Sequence, residues 1–325
     1  MGPKLKKFRV EAGLTQAKLA AAVGVTQPNY QRWEAGTAPV PADKLKKLAK
    51  VLKATPEALL GRHPPINAKF YDDSEGDELN YYGEVAIHFL GGGDALLISI
   101  SEAEYGRLHA DLQSDRAFVH VESLANQLVI LRAKAIADLY FSSEAYDDYG
   151  PEHGFYVGHI DSQIPDPRDW EIIESLAVDG VGLEDFDEAN IDRVQEMVLI
   201  TDQQYEKLVS DGLIKLDDLE EEKKKNQAKT DDIFDAAMNI KYQLSNGKIR
   251  KAHTAEDDNI YNAFYGLVEF GDDEDEKGMI RLSTDGYHRT IFIGKGNFDY
   301  IMIPSHKYKN GEIESAAESL DAFDD

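Results

Sequence analysis

The sequence predicts a multi-domain protein in which a five-helix, all-α domain precedes an acidic α+β region. Its 325 residues exceed the size of one ordinary domain. The 42% apolar and 10% aromatic fractions are sufficient for hydrophobic cores, which excludes a wholly disordered acidic chain. After Pro64-Pro65 the spacing of apolar residues changes from helical to strand-like, and this change places the boundary between the two regions.

The net charge of -26 is distributed unevenly along the chain. Taken as a whole, it argues against a polyanionic partner. Residues 1–63, however, carry 12 Lys and Arg against four Asp and Glu, a net charge of +8, and residues 64–325 therefore carry -34. Attraction to a nucleic acid is thus expected for the first 63 residues and repulsion for the rest.

Composition also excludes several classes of protein. The absence of cysteine excludes a disulfide scaffold, a thiolate zinc site, an iron–sulfur cluster and a cysteine nucleophile. The first residues are basic but lack the apolar segment of a secretory signal, and no apolar run approaches the ~20 residues that cross a bilayer. A cytoplasmic protein without membrane contact is expected.

The first 61 residues predict helices with short connections. Thr15, Thr26 and Thr55 occupy N-cap positions, and Gly13 and Gly24 follow the first two helices where a left-handed residue is favoured. The predicted helices cover about 4–12, 16–23, 27–34, 43–52 and 56–60. The lysines of the fourth are expected to form a solvated face that could attract DNA without specificity (Lys44, Lys46, Lys47, Lys50 and Lys53).

The second and third predicted helices, joined by Gly24-Val25, have the order of a helix-turn-helix, whose later helix enters a major groove. Glutamine can pair bidentately with adenine, arginine with guanine, and the threonine methyl can contact a thymine methyl. The residues expected to point outward are Thr26, Gln27, Asn29, Gln31 and Arg32, whereas Val25, Tyr30 and Trp33 are expected in the core.

Four motifs resemble the phage-repressor/Cro-type, or XRE-type, helix-turn-helix family. They are Gly13-Leu14-Thr15-Gln16-Ala17-x-Leu19-Ala20, Gly24-Val25-Thr26-Gln27, Arg32-Trp33-Glu34-x-Gly36 and Leu45-x-x-Leu48-Ala49-x-Val51-Leu52. The resemblance covers residues 4–61 and implies a lambda-repressor-like fold that binds double-stranded DNA. The C-terminal region has no comparable resemblance.

The resemblance also implies roles for individual residues. Gln16 would contact a phosphate and buttress Gln27, and Arg9 and Glu34 would form a salt bridge between the first and third helices. Base edges would face Thr26, Gln27, Pro28 and Arg32, and Asn29 would meet phosphate. The loop after the third helix lacks the usual basic residues, so that only Gly36 and Thr37 offer backbone or hydroxyl donors there.

The α+β region contains two segments with the same predicted order of elements. A hairpin, a helix and three strands are expected in each, and the second hairpin has Asn246-Gly247 as its turn. The predicted divisions are a 1–63 domain, a 64–82 linker, unit 1 at 83–165, a helical charged connection at 166–236, unit 2 at 237–312, and an acidic tail at 313–325. Two diverged copies of a ββαβββ-like unit explain this order, and a chance likeness of two hairpin-rich segments is the alternative.

Elsewhere the chemical signals are weak. His153, His159 and Asp161 do not have a standard metal-ligand spacing, and Asp272–Glu276 lacks the arrangement of a calcium loop. Gly91-Gly92-Gly93 is interpreted as a hairpin turn instead of a phosphate-binding loop. No metal, cofactor or catalytic residue set is therefore predicted, and the chain is not expected to be an enzyme.

Together these observations predict a sequence-specific transcriptional regulator, with repression as the expected action. It would bind a palindromic operator as a homodimer, and its C-terminal region would dimerise or bind an effector or partner. The alternative is an antitoxin-like or DNA-mimicking module, whose acidic body binds a basic protein while the helix-turn-helix autoregulates. An enzymatic C-terminal body is a third alternative.

Overall fold

The structure is a computed structural model that describes residues 4–68, 80–143, 156–157, 163–270, 275–286 and 289–322. The N-terminal helices are α1 (Leu5–Glu11), α2 (Gln16–Val23), α3 (Gln27–Glu34), α4 (Ala42–Val51) and α5 (Pro56–Leu59). All five predicted helices are present, within about two residues of their expected ends. Their buried apolar core consists of Leu5, Leu19, Ala20, Val23, Tyr30, Trp33, Leu48, Leu52 and Leu59.

The body contains eleven strands among the described residues. They are β1 (Tyr81–Phe89), β2 (Ala95–Ser101), β3 (Phe118–Glu122), β4 (Gln127–Arg132), β5 (Ile136–Ser143), β6 (Tyr156–Val157), β7 (Asn239–Leu244), β8 (Ile249–His253), β9 (Met279–Ser283), β10 (Thr290–Gly294) and β11 (Phe298–Pro304). They form a four-stranded sheet in the order β5-β1-β2-β6, a five-stranded sheet in the order β3-β4-β11-β7-β8, and the β9–β10 hairpin.

The five-stranded sheet lies at the centre of the body and is buried on both faces. Val129 and Leu131 of β4 contribute to the apolar cluster shared with β1 and β2, whereas Leu128 and Ile130 contribute to the cluster on the opposite face. Because successive side chains of a strand point to opposite faces, one run of apolar residues serves both clusters. The opposite face is covered by α11 (Asp257–Glu269) and by the β9–β10 hairpin.

The two halves of the body share both the order and the pairing of their elements. In the first half, α6 (Glu102–Asp111) follows the β1–β2 hairpin and precedes β3, β4 and β5. In the second, α11 follows the β7–β8 hairpin and precedes β9, β10 and β11. The antiparallel pairs β1–β2, β1–β5 and β3–β4 correspond to β7–β8, β7–β11 and β9–β10.

The halves are not separate sheets, however. β11 pairs with β4 from Tyr300↔Leu131 to Pro304↔Gln127, which joins strands of both halves in the central sheet. The two hairpin turns also meet, because a Cβ on Gly91 would lie 2.3 Å from the carbonyl oxygen of Ser245. Gly91 therefore permits a close approach of two backbones in addition to its predicted place in a turn.

The 166–236 segment, predicted as a helical, charged connection, is helical and forms a packed layer. It contains α7 (Pro167–Ala177), α8 (Glu188–Val198), α9 (Asp202–Ser210) and α10 (Leu219–Met238). Trp170, Ile173, Val194 and Ile233 belong to its apolar core. The charged run in the first half of α10 is largely exposed, but the second half buries Ile233, Ala236 and Ala237, so α10 is half solvated and half core.

The segment expected as a loose tail or frayed helix is different in the structure. Residues Ser305–Ala322 form one helix, α12, which packs against α1, α7 and α11. Its first turn is fixed by Lys307, whose side chain is 2% exposed and lies 2.8 Å from Glu174 and 2.9 Å from Asp257. The small and acidic composition of residues 312–325 gave no sign of these contacts, which are made by a lysine upstream of it.

Within the described residues, no helix is long and apolar enough to cross a membrane, and no group of three or more metal-ligating side chains is assembled. The residues considered earlier as weak metal candidates, His153, His159, Asp161 and Asp272–Glu274, lie outside the described part of the chain.

Candidate nucleic-acid interface

The turn between α2 and α3 is fixed by backbone and side-chain contacts. The Thr15 hydroxyl accepts a hydrogen bond from the Lys18 N–H at 3.2 Å and caps α2, and Gly24 ends α2 with φ +70°. Lys44 of α4 donates from Nζ to the carbonyl oxygens of Val23 and Gly24 at 3.2 and 3.1 Å. A cation at the C-terminus of a helix is stabilised by the helix dipole, so Lys44 supports the turn instead of belonging only to a solvated face.

The outward face of α3 is exposed. Tyr30 and Trp33 are buried in the domain core, as their spacing predicted, and they orient the helix. The exposed residues include Thr26, Gln27, Pro28, Asn29, Gln31 and Arg32. This face therefore presents amide, hydroxyl and guanidinium groups on one short helix, which are the groups that read base edges in a major groove.

The position of α3 on α1 is set by a buried ion pair. Arg9 donates from Nε and Nη2 to the two carboxylate oxygens of Glu34 at 2.8 and 2.9 Å, and both side chains are almost fully buried. Burial by itself would raise the pKa of Glu34, but the hydrogen bonds from Arg9 and Gln16 hold it below its usual value. Glu34 is therefore ionised at neutral pH, and Arg9 and Glu34 form the pair that the sequence resemblance implied.

Gln16 is the first residue of α2. Its Nε2 donates to Glu34 Oε1 at 3.1 Å, so the side chain orients Glu34, whereas the sequence predicted that it supports Gln27. Its backbone N–H donates to the carboxylate of Asp321, on α12, at 2.9 Å. The phosphate contact predicted for Gln16 would use this end of α2, where the outward N–H groups of the first turn and the helix dipole favour an anion.

The loop after α3 folds back on the helix. Gly36 has φ +71°, and the Thr37 hydroxyl donates to the carbonyl oxygen of Arg32 at 3.2 Å. Both residues are exposed. The Thr37 hydroxyl thus already donates to an acceptor within the domain. The remaining donors of this loop for a phosphate are its backbone N–H groups.

A second surface of the domain, formed by α1, the start of α2 and the segment after α5, contacts the body. Arg168 of α7 donates to the carbonyl oxygens of Gly61 and His63 at 3.4 and 2.8 Å, and so holds the segment that leaves α5. One turn further along α7, Glu171 accepts from Lys4 at 2.5 Å. Sequence reasoning missed these body residues because no motif marks them and they lie more than 100 positions from their partners.

The α2–turn–α3 geometry, the exposed polar face of α3 and the net charge of +8 define a helix-turn-helix DNA-binding domain. Comparison with family models agrees, because residues 5–59 match the family HTH_3, described as helix-turn-helix. The N-terminal domain is therefore an XRE-type helix-turn-helix domain, and the chain is in general a DNA-binding regulator.

The match ends at residue 59 and does not include the body. No curated protein and no solved structure matches the chain.

Proposed function

We propose that the protein is a sequence-specific transcriptional regulator that acts as a repressor and binds a palindromic operator as a homodimer. The observation that carries this proposal is the exposed face of α3, held in place by the buried Arg9–Glu34 pair. A repressor acts by occupying its operator. The polar side chains on the exposed face of α3 are sufficient for that action.

In the proposed complex, α3 lies in the major groove. Gln27 and Arg32 read base edges, and Thr26 and Pro28 contact the apolar edges of bases. Gln16 and Asn29 contact phosphates, together with the backbone around Gly36 and Thr37. The phosphate contacts fix the register of α3, and Gln27 and Arg32 provide most of the discrimination among sequences.

Homodimerisation is proposed because one short reading helix buries little surface, and two copies on half-sites supply the specificity. The acidic body is the proposed dimerisation, effector-binding or partner-binding region. An apolar surface for a second copy is available on the β9–β10 hairpin, where Met279 and Phe292 are 61% and 62% exposed. The pairing of β9 with β10 puts these two side chains on the same face.

The test is selection of DNA from a random-sequence pool by the full-length protein. The expected result is a palindromic consensus whose half-sites are about 10 base pairs apart from centre to centre. The Gln27→Ala/Arg32→Ala double variant is the control and should lose the consensus while remaining folded.

Failure to enrich any sequence would contradict the proposal. In that outcome the charge of -34 on residues 64–325 favours the antitoxin-like or DNA-mimicking alternative. Co-purification of a basic protein with the acidic body would then be the expected observation.

A further inference from the structure

The N-terminus of α2 already holds an anion from the same chain. The Asp321 carboxylate accepts the Gln16 backbone N–H at 2.9 Å. The same carboxylate lies 3.4 Å from Arg9 Nη1 and 3.3 Å from Arg9 Nη2. A backbone amide at a helix N-terminus together with a guanidinium is a donor set that binds a phosphate oxygen equally well.

Asp321 is brought to this position by a rigid element. The buried Lys307, paired with Glu174 and Asp257, fixes the first turn of α12. A Cβ on Gly311 would lie 2.2 Å from the Asp257 carbonyl oxygen, so α12 crosses the start of α11 at the closest distance that a glycine allows. The 18 residues of α12 span about 27 Å, and the last turn carries Asp321 to the helix-turn-helix domain.

The surroundings of Asp321 are strongly acidic. A cleft of about 740 Å³ separates the start of α2 from the body, and Gln16 and Gln31 form part of its wall on the DNA-binding side. On the body side, the cleft is lined by the acidic residues Glu256, Asp258, Glu314, Glu318 and Asp321. A DNA backbone passing the start of α2 would lie beside these carboxylates, and the repulsion would be largest at low ionic strength.

We infer that α12 is an autoinhibitory element: Asp321 occupies the phosphate position at the N-terminus of α2, and α12 must move away before DNA is fully bound. This inference rests on the proposed DNA-binding function. The docked arrangement in the structure is then the low-affinity state, in which α3 is exposed but the neighbouring phosphate position is filled. Release of α12 exchanges an intramolecular carboxylate for a DNA phosphate on the same donors.

The first experiment measures DNA affinity in low salt for the full-length protein and two matched variants. Asp321→Ala removes the occupying carboxylate, and Asp217→Ala removes one charge from an exposed position that does not line the cleft. Asp321→Ala should bind DNA more tightly by a factor between about 5 and 150, the usual range of coupling between two sites. Asp217→Ala should change affinity by less than about twofold, because a distant exposed charge is screened.

A second variant separates the filled position from the general repulsion. Glu318→Ala removes a carboxylate from the same cleft and should increase DNA affinity less than Asp321→Ala. Equal affinities for the wild type, Asp321→Ala and Asp217→Ala would overturn the inference while leaving DNA binding intact. If none of these proteins binds any DNA, the proposed function itself fails.

The contact can also be tested without DNA, by amide hydrogen exchange in the free protein. Because the Gln16 N–H donates to Asp321, its exchange should be faster in Asp321→Ala and unchanged in Asp217→Ala. Unchanged exchange in Asp321→Ala would show that the carboxylate does not hold this position in solution, and would overturn the inference.

A reversible lock tests whether α12 must move. The chain has no cysteine, so Lys6→Cys/Glu314→Cys creates a unique pair at positions whose native side chains lie 3.4 Å apart. A cleavable bismaleimide joining them should lower DNA affinity, and cleavage of the linker should restore it. Undiminished DNA binding by the locked protein would contradict an autoinhibitory role of the docked state.

Discussion

The helix-turn-helix domain has one surface that is exposed to solvent and another that contacts the body. On one side, α3 exposes Gln27 and Arg32. On the other, Arg9 of α1 and the backbone of Gln16 contact Asp321 of α12, and Lys4, which precedes α1, contacts Glu171 of α7. The family match covers the first surface, whereas the partners of the second lie in residues that the match does not include. A regulator can thus keep a standard reading helix while its own body controls access to the adjoining phosphate position.

The largest expected effect comes from the Arg9–Glu34 pair, because Arg9 contacts both α3 and Asp321 of the body. Arg9→Ala leaves Glu34 buried without its main partner and should destabilise the domain by about 3–5 kcal/mol. The measurement is amide hydrogen exchange of α2 and α3 in the full-length protein. Lys7→Ala, which removes an exposed lysine from the same helix, should have little effect on that exchange.

Replacing both charged partners by apolar residues tests whether the instability of Arg9→Ala comes from leaving Glu34 buried and unpaired. Arg9→Met/Glu34→Leu should recover much of the lost stability, because a buried ion pair contributes little more than well-packed apolar side chains. A double variant as unstable as Arg9→Ala would mean that the hydrogen-bonded ion pair contributes stability that apolar side chains at these positions do not replace.

On the exposed side, Gln27→Ala and Arg32→Ala should each weaken binding to the selected operator by about 1–3 kcal/mol. Stability should change by less than about 0.5 kcal/mol, because both side chains are exposed. Lys50→Ala, on α4, is the control and should weaken binding to all sequences to a similar extent. An equal loss on operator and non-operator DNA for Gln27→Ala would remove its role in base readout.

On the body side, the anchor of α12 should respond to acid. Burial would raise the pKa of Glu174, but hydrogen bonding to His306 and the charge of Lys307 lower it from 4.5 to about 2. A carboxyl group whose pKa is lowered in the fold contributes stability that is present above about pH 4.5 and is lost as the pH falls towards 2.

The free energies of unfolding of wild type and Glu174→Gln, measured from pH 7 to pH 2, test this anchor. The wild type should be more stable by about 1–3 kcal/mol at neutral pH, and the difference should vanish near pH 2. A difference that does not depend on pH would show that Glu174 acts through packing instead of charge.

The smallest effect on stability is expected at the partly exposed Lys4–Glu171 contact between the domain and the body. The Lys4–Glu171 pair has side chains that are 35% and 18% exposed, so Lys4→Ala should lower stability by at most about 1 kcal/mol. The loss should decrease as salt is added, because an exposed pair is screened. A loss that persists in high salt would indicate packing by the lysine stem.

The helix-turn-helix domain was predictable because its signals are local. Thr15, Gly24 and Thr55 mark helix ends through contacts within a few residues, and Tyr30 and Trp33 show their burial by helical spacing. Most strands of the body were also found, since alternating apolar residues between turn signals predict strands whatever their partners are. The repeated ββαβββ order was predictable from the same local patterns. The descent of the two halves from one unit is still a prediction.

What the sequence could not provide were the contacts between distant segments. The joining of β4 to β11 depends on two strands about 170 residues apart, and strand spacing alone does not specify such a partner. The helices of residues 166–236 were predicted, but their packing was not. The first half of α10 is charged, and the burial of its second half depends on the distant α7. The end of α12 was expected as a loose tail or frayed helix, because the anchor of the helix is a buried lysine, a residue that normally indicates a solvated surface.

The sequence by itself determined a basic DNA-reading domain of known type, an acidic body rich in hairpins, and the exposed residues of the reading helix. These properties follow from short-range spacing, capping and charge, all of which one chain segment carries alone. Only the tertiary structure decided that the body contacts this domain through Asp321 at the start of α2 and through Glu171, which pairs with Lys4. Both contacts join segments more than 160 residues apart. No local pattern encodes the packing of α12 on α1, or the contact of α7 with the residue that precedes α1.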